Sequence, residues 1–259
     1  MLKNQHNIFN RKKLILHRDK AAKKNYSKNF LSDLTAEYLI DKLSELEIKP
    51  KTILELGSLN NNLEYLLEKN NLIDKKLYIH TNISFNSLKN NQGILVNLDD
   101  EFLPFNPNSF DLIISNLNLN WVNDLPGTFL QIKNLLKKDG IFLANMYGGD
   151  TLLELKKDIQ DTELKYHNKT YQRFAPCIDV KTAGSLLQRA GFSAMAVVDS
   201  QLLNIEYPSY DILFKDLKAS SQTNINFFQH YLSKKVLNEL QKKTNITTCF
   251  ELITLVGKN

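Results

Sequence analysis

The sequence predicts an α/β fold: a doubly wound parallel sheet of seven strands, led by N-terminal helices and carrying a helical insertion before the last strand. Two stretches carry that prediction. Lys51-Thr52-Ile53-Leu54-Glu55-Leu56-Gly57 is an apolar run of strand length bounded by Pro50 and Gly57, and Leu63, Leu66 and Leu67 follow it at helical spacing. Phe110-Asp111-Leu112-Ile113-Ile114-Ser115 is a second such run, bounded by Asn106-Pro107-Asn108 and Asn116. Strands that alternate with helices pair in parallel through crossover connections.

The elements follow in order. Arg11 to Lys24 is a charged segment with a small apolar stripe, and Asn29 to Leu46 repeats Phe30, Leu31, Leu34, Tyr38, Leu39, Leu43 and Leu46 at helical spacing, so two helices lead the chain. A strand at Thr52 to Leu56 feeds a helix at Asn62 to Lys69. A second strand, Leu77 to Thr81, ends at Asn82, and Ser84 is placed to cap a short helix reaching Lys89. Ile94 to Asn97 is a third strand and Phe110 to Ser115 a fourth. A helix from Leu125 to Lys137 precedes the turn Lys138-Asp139-Gly140 and a fifth strand, Ile141 to Met146. Thr151 to Gln160 reads as a helix with Asp150 or Thr151 as its cap; Asp179 caps a helix that runs to Ala190 and closes at Gly191. Ala194 to Val198 is the sixth strand and Phe250 to Val256 the last. Between them Tyr210 to Ala219 and Phe227 to Lys243 read as the helices of an insertion spanning 208–248. The 259 residues are expected to form one domain, with helices at 1–50, a ligand-binding half at 51–147 and a substrate-side half at 148–259.

Composition narrows the function classes. A net charge of +5 is a mild basic excess, and no Arg/Lys stripe with interleaved aromatics accompanies it, so no nucleic-acid partner is expected. Cys177 and Cys249 stand far apart, which fits a reducing compartment. His6, His17, His80, His167 and His230 never fall at ligand spacing, so no metal site is expected. No apolar run of transmembrane length occurs and the basic N-terminus lacks a secretory h-region, from which a cytoplasmic protein is expected. The nine glycines are about half the usual ~7% share, while Lys and Asn are abundant, as in AT-rich coding.

In an open α/β sheet the ligand sits beyond the carboxyl ends of the strands where strand order reverses. That rule selects Glu55 to Asn61, Asn82, Asp99 and Asp100, and Ser115 to Trp121. The residues Asp100-Glu101-Phe102-Leu103-Pro104-Phe105, Ser109 to Ser115 and Trp121-Val122-Asn123-Asp124-Leu125-Pro126 resemble class I S-adenosylmethionine-dependent methyltransferases, which have a Rossmann-like sheet. Met146-Tyr147-Gly148-Gly149-Asp150-Thr151-Leu152, Leu136-Lys137-Lys138-Asp139-Gly140, Arg189-Ala190-Gly191-Phe192, Tyr207-Pro208, Asn7 to Arg11 and Arg18-Asp19-Lys20-Ala21-Ala22 resemble one branch: the methyltransferase-like complex I assembly factors that hydroxylate a protein arginine. The malonyl-carrier-protein methyltransferases of biotin synthesis are similar at greater distance.

The resemblance implies S-adenosylmethionine as cofactor and a protein or small-molecule acceptor, such as a subunit of respiratory complex I. It implies a cofactor site of Glu55, Gly57, Ser58, Asn82, Ile83, Asp99, Asp100, Asn116, Leu117 and Trp121. The sequence departs from the family at the loop, where Leu59 and Asn61 replace expected glycines, and at Asn82, which replaces the ribose-binding acid. A neutral bond in place of a charge-assisted one weakens binding about tenfold. Several residues have second readings: Glu55 as a helix cap or partner of Lys51, Asp99 to Glu101 as a solvated loop, Trp121 as core, and Arg18 and Lys20 as exposed charges rather than partners of a cofactor carboxylate. Asn118, Asn120, Trp121, Tyr147 and Tyr207 to Tyr231 are the acceptor-side candidates, with Asn120 where the assembly factors are expected to carry histidine. Methyl transfer from a sulfonium needs alignment and no assigned triad. The two-histidine-and-carboxylate set of an oxygen-activating centre is not recognisable.

Overall fold

The computed structural model describes residues 7–24, 29–227 and 230–259. Its elements are α1 (Arg11–Lys23), α2 (Phe30–Ser44), β1 (Thr52–Leu56), α3 (Asn62–Lys69), β2 (Leu77–Asn82), α4 (Phe85–Leu88), β3 (Ile94–Asn97) and β4 (Phe110–Asn116). After a 3-10 turn at Leu119–Trp121 come α5 (Leu125–Leu135), β5 (Leu136–Tyr147), α6 (Leu153–His167), α7 (Val180–Arg189), β6 (Met195–Ser209), α8 (Tyr210–Ala219), α9 (Lys234–Gln241) and β7 (Thr244–Lys258).

The strands form one sheet in the order β3-β2-β1-β4-β5-β7-β6. The seven strands are those the sequence predicts, but the sheet is mixed. β7 runs antiparallel to both β5 and β6. The cause is the connection: β6 leads into α8 and α9 and the chain returns beside it, pairing Tyr207 with Ile246 and Ser209 with Thr244, so the two strands make a long hairpin with helices in its loop. Both strands far exceed the expected Ala194–Val198 and Phe250–Val256. Their extra length mixes exposed polar residues, as at Gln201, Asn204 and Glu206, among the apolar ones and so carries no long apolar run.

Side chains alternate across the sheet with period two. Leu54, Leu56, Ile113 and Phe142 face α5 and α7 through Phe129, Ile132 and Leu187. Ile53, Leu112, Ile114 and Leu143 face α2 and α3 through Leu39, Leu43, Leu63 and Leu67. A third cluster joins α6, α8 and α9 to the far end of the sheet around Tyr147, Tyr210 and Phe250.

Several boundaries differ from expectation. Leu136 starts β5 directly after α5, and Lys138-Asp139-Gly140 bulges out, since pairing jumps from Phe110↔Leu136 to Leu112↔Ile141 with Asp139 left-handed at φ 63. Neither Asp150 nor Thr151 caps α6. Leu152 holds that position, while the Asp150 N–H donates to Glu251 Oε2 at 2.9 Å and Thr151 Oγ1 bonds the Glu251 backbone. The helix expected at Phe227 to Lys243 is the shorter α9, capped by Ser233, and 228–229 lie outside the described residues, as does His6. Ser84 and Asp179 cap α4 and α7 as predicted.

A closed polar switch point beside an open apolar cavity

The reversal of strand order falls between β1 and β4, so their carboxyl ends and those of β2 and β3 form the candidate site. Gly57 leaves β1 at φ +78, and a Cβ there would collide with the Asn118 side chain. Its missing side chain therefore accommodates Asn118. Among the described residues from Gly57 to Asn61, only Gly57 uses the left-handed region, and Asn61 sits at φ −74. Leu59 and Asn61 thus replace the expected glycines without backbone strain.

Glu55 and Ser58 turn beneath the loop into a buried network. Glu55 Oε2 accepts from Tyr78 OH at 2.8 Å and lies 3.2 Å from His80 Nδ1, while His80 Nε2 lies 3.0 Å from Glu64 Oε2. Ser58 Oγ donates to Asn91 Oδ1 at 2.7 Å. Burial opposes a charged imidazole, but Glu55 and then Glu64 outweigh it and hold the His80 pKa above its ordinary value. Burial and the adjacent Glu55 push the Tyr78 phenol well up. Lys51 pairs with Asp74 instead of Glu55. The sequence reading missed this network, because its only signal is His80 facing Glu55 across the β1–β2 register.

Asn82 is fully buried and its amide is engaged at both ends. Its Oδ1 accepts from the Ser84 N–H at 2.8 Å and from Arg18 Nη1 at 3.1 Å, and its Nδ2 donates to the Ser58 carbonyl at 2.8 Å. Arg18, on α1, also donates to Asn118 Oδ1, bridging the ends of β2 and β4. It is 2% exposed, and burial pushes its pKa down to about 10 against the pull of Asp100. Lys20 is exposed. Arg11, two turns earlier on the same face of α1, reaches Asp99 Oδ1 at 2.5 Å, Asp100 Oδ2 at 3.2 Å and the Trp121 carbonyl at 3.0 Å. The acidic loop is accordingly not a solvated surface: the Asp100 side chain is wholly buried, though Asp99 is 39% exposed. Arg11 escaped the sequence reading; its seven-residue separation from Arg18, two helical turns, was the available signal.

Asn116 ties β4 to α2, donating to the Ser32 carbonyl and accepting from Thr35 Oγ1, both at 2.8 Å. Leu117 is left-handed at φ 52 and its carbonyl accepts from Gln222. Trp121 is 6% exposed and packs edge-on against Phe9 at 5.5 Å, with Ile83 against the same cluster, so it is both core and wall. Four buried polar atoms here lack partners: Arg18 Nε, Asn118 Nδ2, Asp100 Oδ1 and Trp121 Nε1. The cavities left around Gly57 and Leu59 are each only about 10 Å³.

Beyond Asn118 lies a cavity of about 290 Å³, walled by Phe9, Trp121, Tyr147, Leu152 and Phe174 with Lys156 beside them. Of the acceptor-side candidates it gathers Trp121, Asn120 and Tyr147, together with Leu217, Gln222 and Asn224 from the stretch Tyr207 to Tyr231. Asn120 Oδ1 accepts from the Tyr147 N–H at 2.9 Å and its Nδ2 donates to Gln222. Tyr207 lies instead in the α6–α8–α9 cluster, and Tyr231 is 87% exposed. Among the described residues, no His/Cys/Asp/Glu group could hold a metal ion, and no helix is long and apolar enough to cross a membrane.

A seven-stranded sheet of this order, with its last strand inserted antiparallel between β5 and β6, is the class I methyltransferase architecture. A solved SAM-dependent methyltransferase from Thermotoga maritima shares the fold with a TM-score of 0.56 at 14% identity, covering 95% of this chain and 99% of its own. Residues 54–144 match the methyltransferase domain family. The chain belongs to the methyltransferase family: it is 33% identical to "Putative methyltransferase RP459" of Rickettsia prowazekii (strain Madrid E) over 85% of this chain and 97% of that protein. It is also 33% identical to the human "Arginine-hydroxylase NDUFAF5, mitochondrial" over 76% of this chain and 57% of that protein. Across the relatives of that name the chain spans 44% to 59% of their length.

Proposed function

We propose that the protein is a methyltransferase that binds S-adenosylmethionine at the switch point and modifies an acceptor held in the adjoining cavity. The observation that carries this reading is the group of four buried, unpartnered polar atoms, Arg18 Nε, Asn118 Nδ2, Asp100 Oδ1 and Trp121 Nε1. Each costs about 1–3 kcal/mol unsatisfied, and their gathering at one switch point calls for a polar ligand with both donors and acceptors. The residues fit an adenosyl amino acid in kind: Asp99 and Asp100 are acceptors for the adenine amine, and the Arg18 guanidinium matches a carboxylate. Gly57, Asn82, Ile83, Asn116, Leu117 and Trp121 would line the site, with Glu55 and Ser58 supporting the loop from below. The cofactor supplies a methyl group on a sulfonium. The chain's own part is to hold that group against the cavity, which requires Arg18 to leave Asn82 and Asn118 first.

Calorimetric titration with S-adenosylmethionine is expected to show micromolar to submillimolar affinity, and no heat at millimolar ligand would refute the reading. The second reading is an assembly factor for a respiratory complex I subunit, as arginine hydroxylase or as a non-catalytic scaffold. The resemblance of Met146 to Leu152 motivates it, and the filled space over Gly57 favours the scaffold form. Rescue of assembly by a Glu55→Ala/Asp99→Ala variant that binds no cofactor would support the scaffold; loss of rescue would count against it.

A further inference from the structure

Whichever group enters the 290 Å³ cavity meets an unusual charge balance. No Asp or Glu lines it among the described residues, and its one charged side chain is Lys156. The Lys156 ammonium donates to the Gly149 carbonyl at 2.8 Å and stands 5.6 Å over the Phe174 ring, leaving two N–H donors for a ligand. Glu251, whose carboxylate acts on Cys177, does not line the cavity and is held by the Asp150 N–H and Ser200 Oγ, both at 2.9 Å. A guanidinium entering here would lose its water with no anion to replace it and with a cation at its side.

Among the described residues, no His, Asp or Glu lines the cavity to take up a proton. Burial pushes the Tyr147 phenol upward, and burial likewise raises the Cys177 thiol, against the pull of Lys156. Asn120 offers an amide already engaged on both ends. An acceptor methylated here must therefore arrive as a nucleophile, ionised in water without help.

We propose that the cavity binds an apolar carboxylic acid, with the carboxylate paired to Lys156 in the resting complex and the hydrocarbon body against Phe9, Trp121 and Leu152. This deepens the methyltransferase reading and rests on it for the reaction, though not for the binding. Transfer to such an acid balances without a proton: a carboxylate oxygen forms the O–CH₃ bond as the S–CH₃ bond breaks, the electron pair stays on sulfur, and a methyl ester and neutral thioether result. The cavity therefore discriminates against the arginine side chain named for the longer relatives.

Phenylpropanoate and phenethylguanidinium share a body and differ in the charged end, so they test the inference by NMR titration of the full chain. Phenylpropanoate is expected to bind, to weaken about threefold to fivefold in Lys156→Gln, and to be excluded by Ala175→Trp, which fills the cavity from a loop and leaves the fold intact by circular dichroism. Lys156→Glu is expected to exchange the preference in favour of the guanidinium. Binding of the guanidinium to the wild-type protein as tightly as the acid, or of neither probe, overturns the proposal. If phenylpropanoate binds while S-adenosylmethionine does not, the cavity assignment stands and the methyltransferase reading falls.

Discussion

The switch point and the cavity beside it are separated by little more than Asn118 and the turn to Trp121, yet they are built on opposite principles. The first is polar, sealed and cross-linked, with two arginines of α1 plugged into carboxylates and amides. The second is apolar, roomy and holds a single charge. Burial stabilises the cavity walls directly, whereas at the switch point every buried charge must be matched, so a change of one partner propagates to the others. The difference teaches where this molecule is brittle and where it is adaptable.

The comparison can be broken most severely at Asp100. Asp100→Asn removes the carboxylate that both Arg11 and the buried Arg18 depend on, and is expected to destabilise the fold by about 3–5 kcal/mol in urea unfolding. Gly57→Ala comes next, since the new methyl meets Asn118 in a left-handed residue; a loss of about 2–3 kcal/mol is expected by the same measurement. Arg18→Ala opens the room over Gly57. If Arg18 acts chiefly as a plug, calorimetry will find both S-adenosylmethionine and methylthioadenosine bound about tenfold tighter; if it pairs with the methionine carboxylate, only the former will weaken.

A pH effect should be smaller and confined to the polar side. The folded His80 pKa lies above its ordinary 6.5, so its stabilising contribution is complete below that value and is lost as pH rises through the folded pKa. Unfolding midpoints measured from acid to mildly alkaline pH should fall for the wild type and flatten for His80→Asn. The least effect is expected at the cavity, where Lys156→Gln should change stability by no more than about 0.5 kcal/mol.

Several elements were legible because apolar runs and caps are local: Thr52 to Leu56, Asn62 to Lys69 and Tyr210 to Ala219 fall where the pattern puts them. β6 and β7 were half-legible, since an edge hairpin with one wet face hides its length among polar residues. At the site, the selection rule brought Gly57, Asn82, Asp99, Asp100 and Trp121 to one end of the sheet, but it said nothing of direction. Glu55 and Ser58 point beneath the loop, and beside Leu59, which replaces an expected glycine, Arg18 and Asn118 fill the space over Gly57. Those two meet across 100 residues of sequence, a separation at which no local pattern carries information.

Trp121 is the protein's single tryptophan, and it sits on the boundary between the two regions, with its ring against Phe9 and its carbonyl held by Arg11. The molecule thus carries one native chromophore at the hinge of its own question. Stopped-flow emission from that indole would time the release of α1 separately from the filling of the cavity, giving a rate for each without any label.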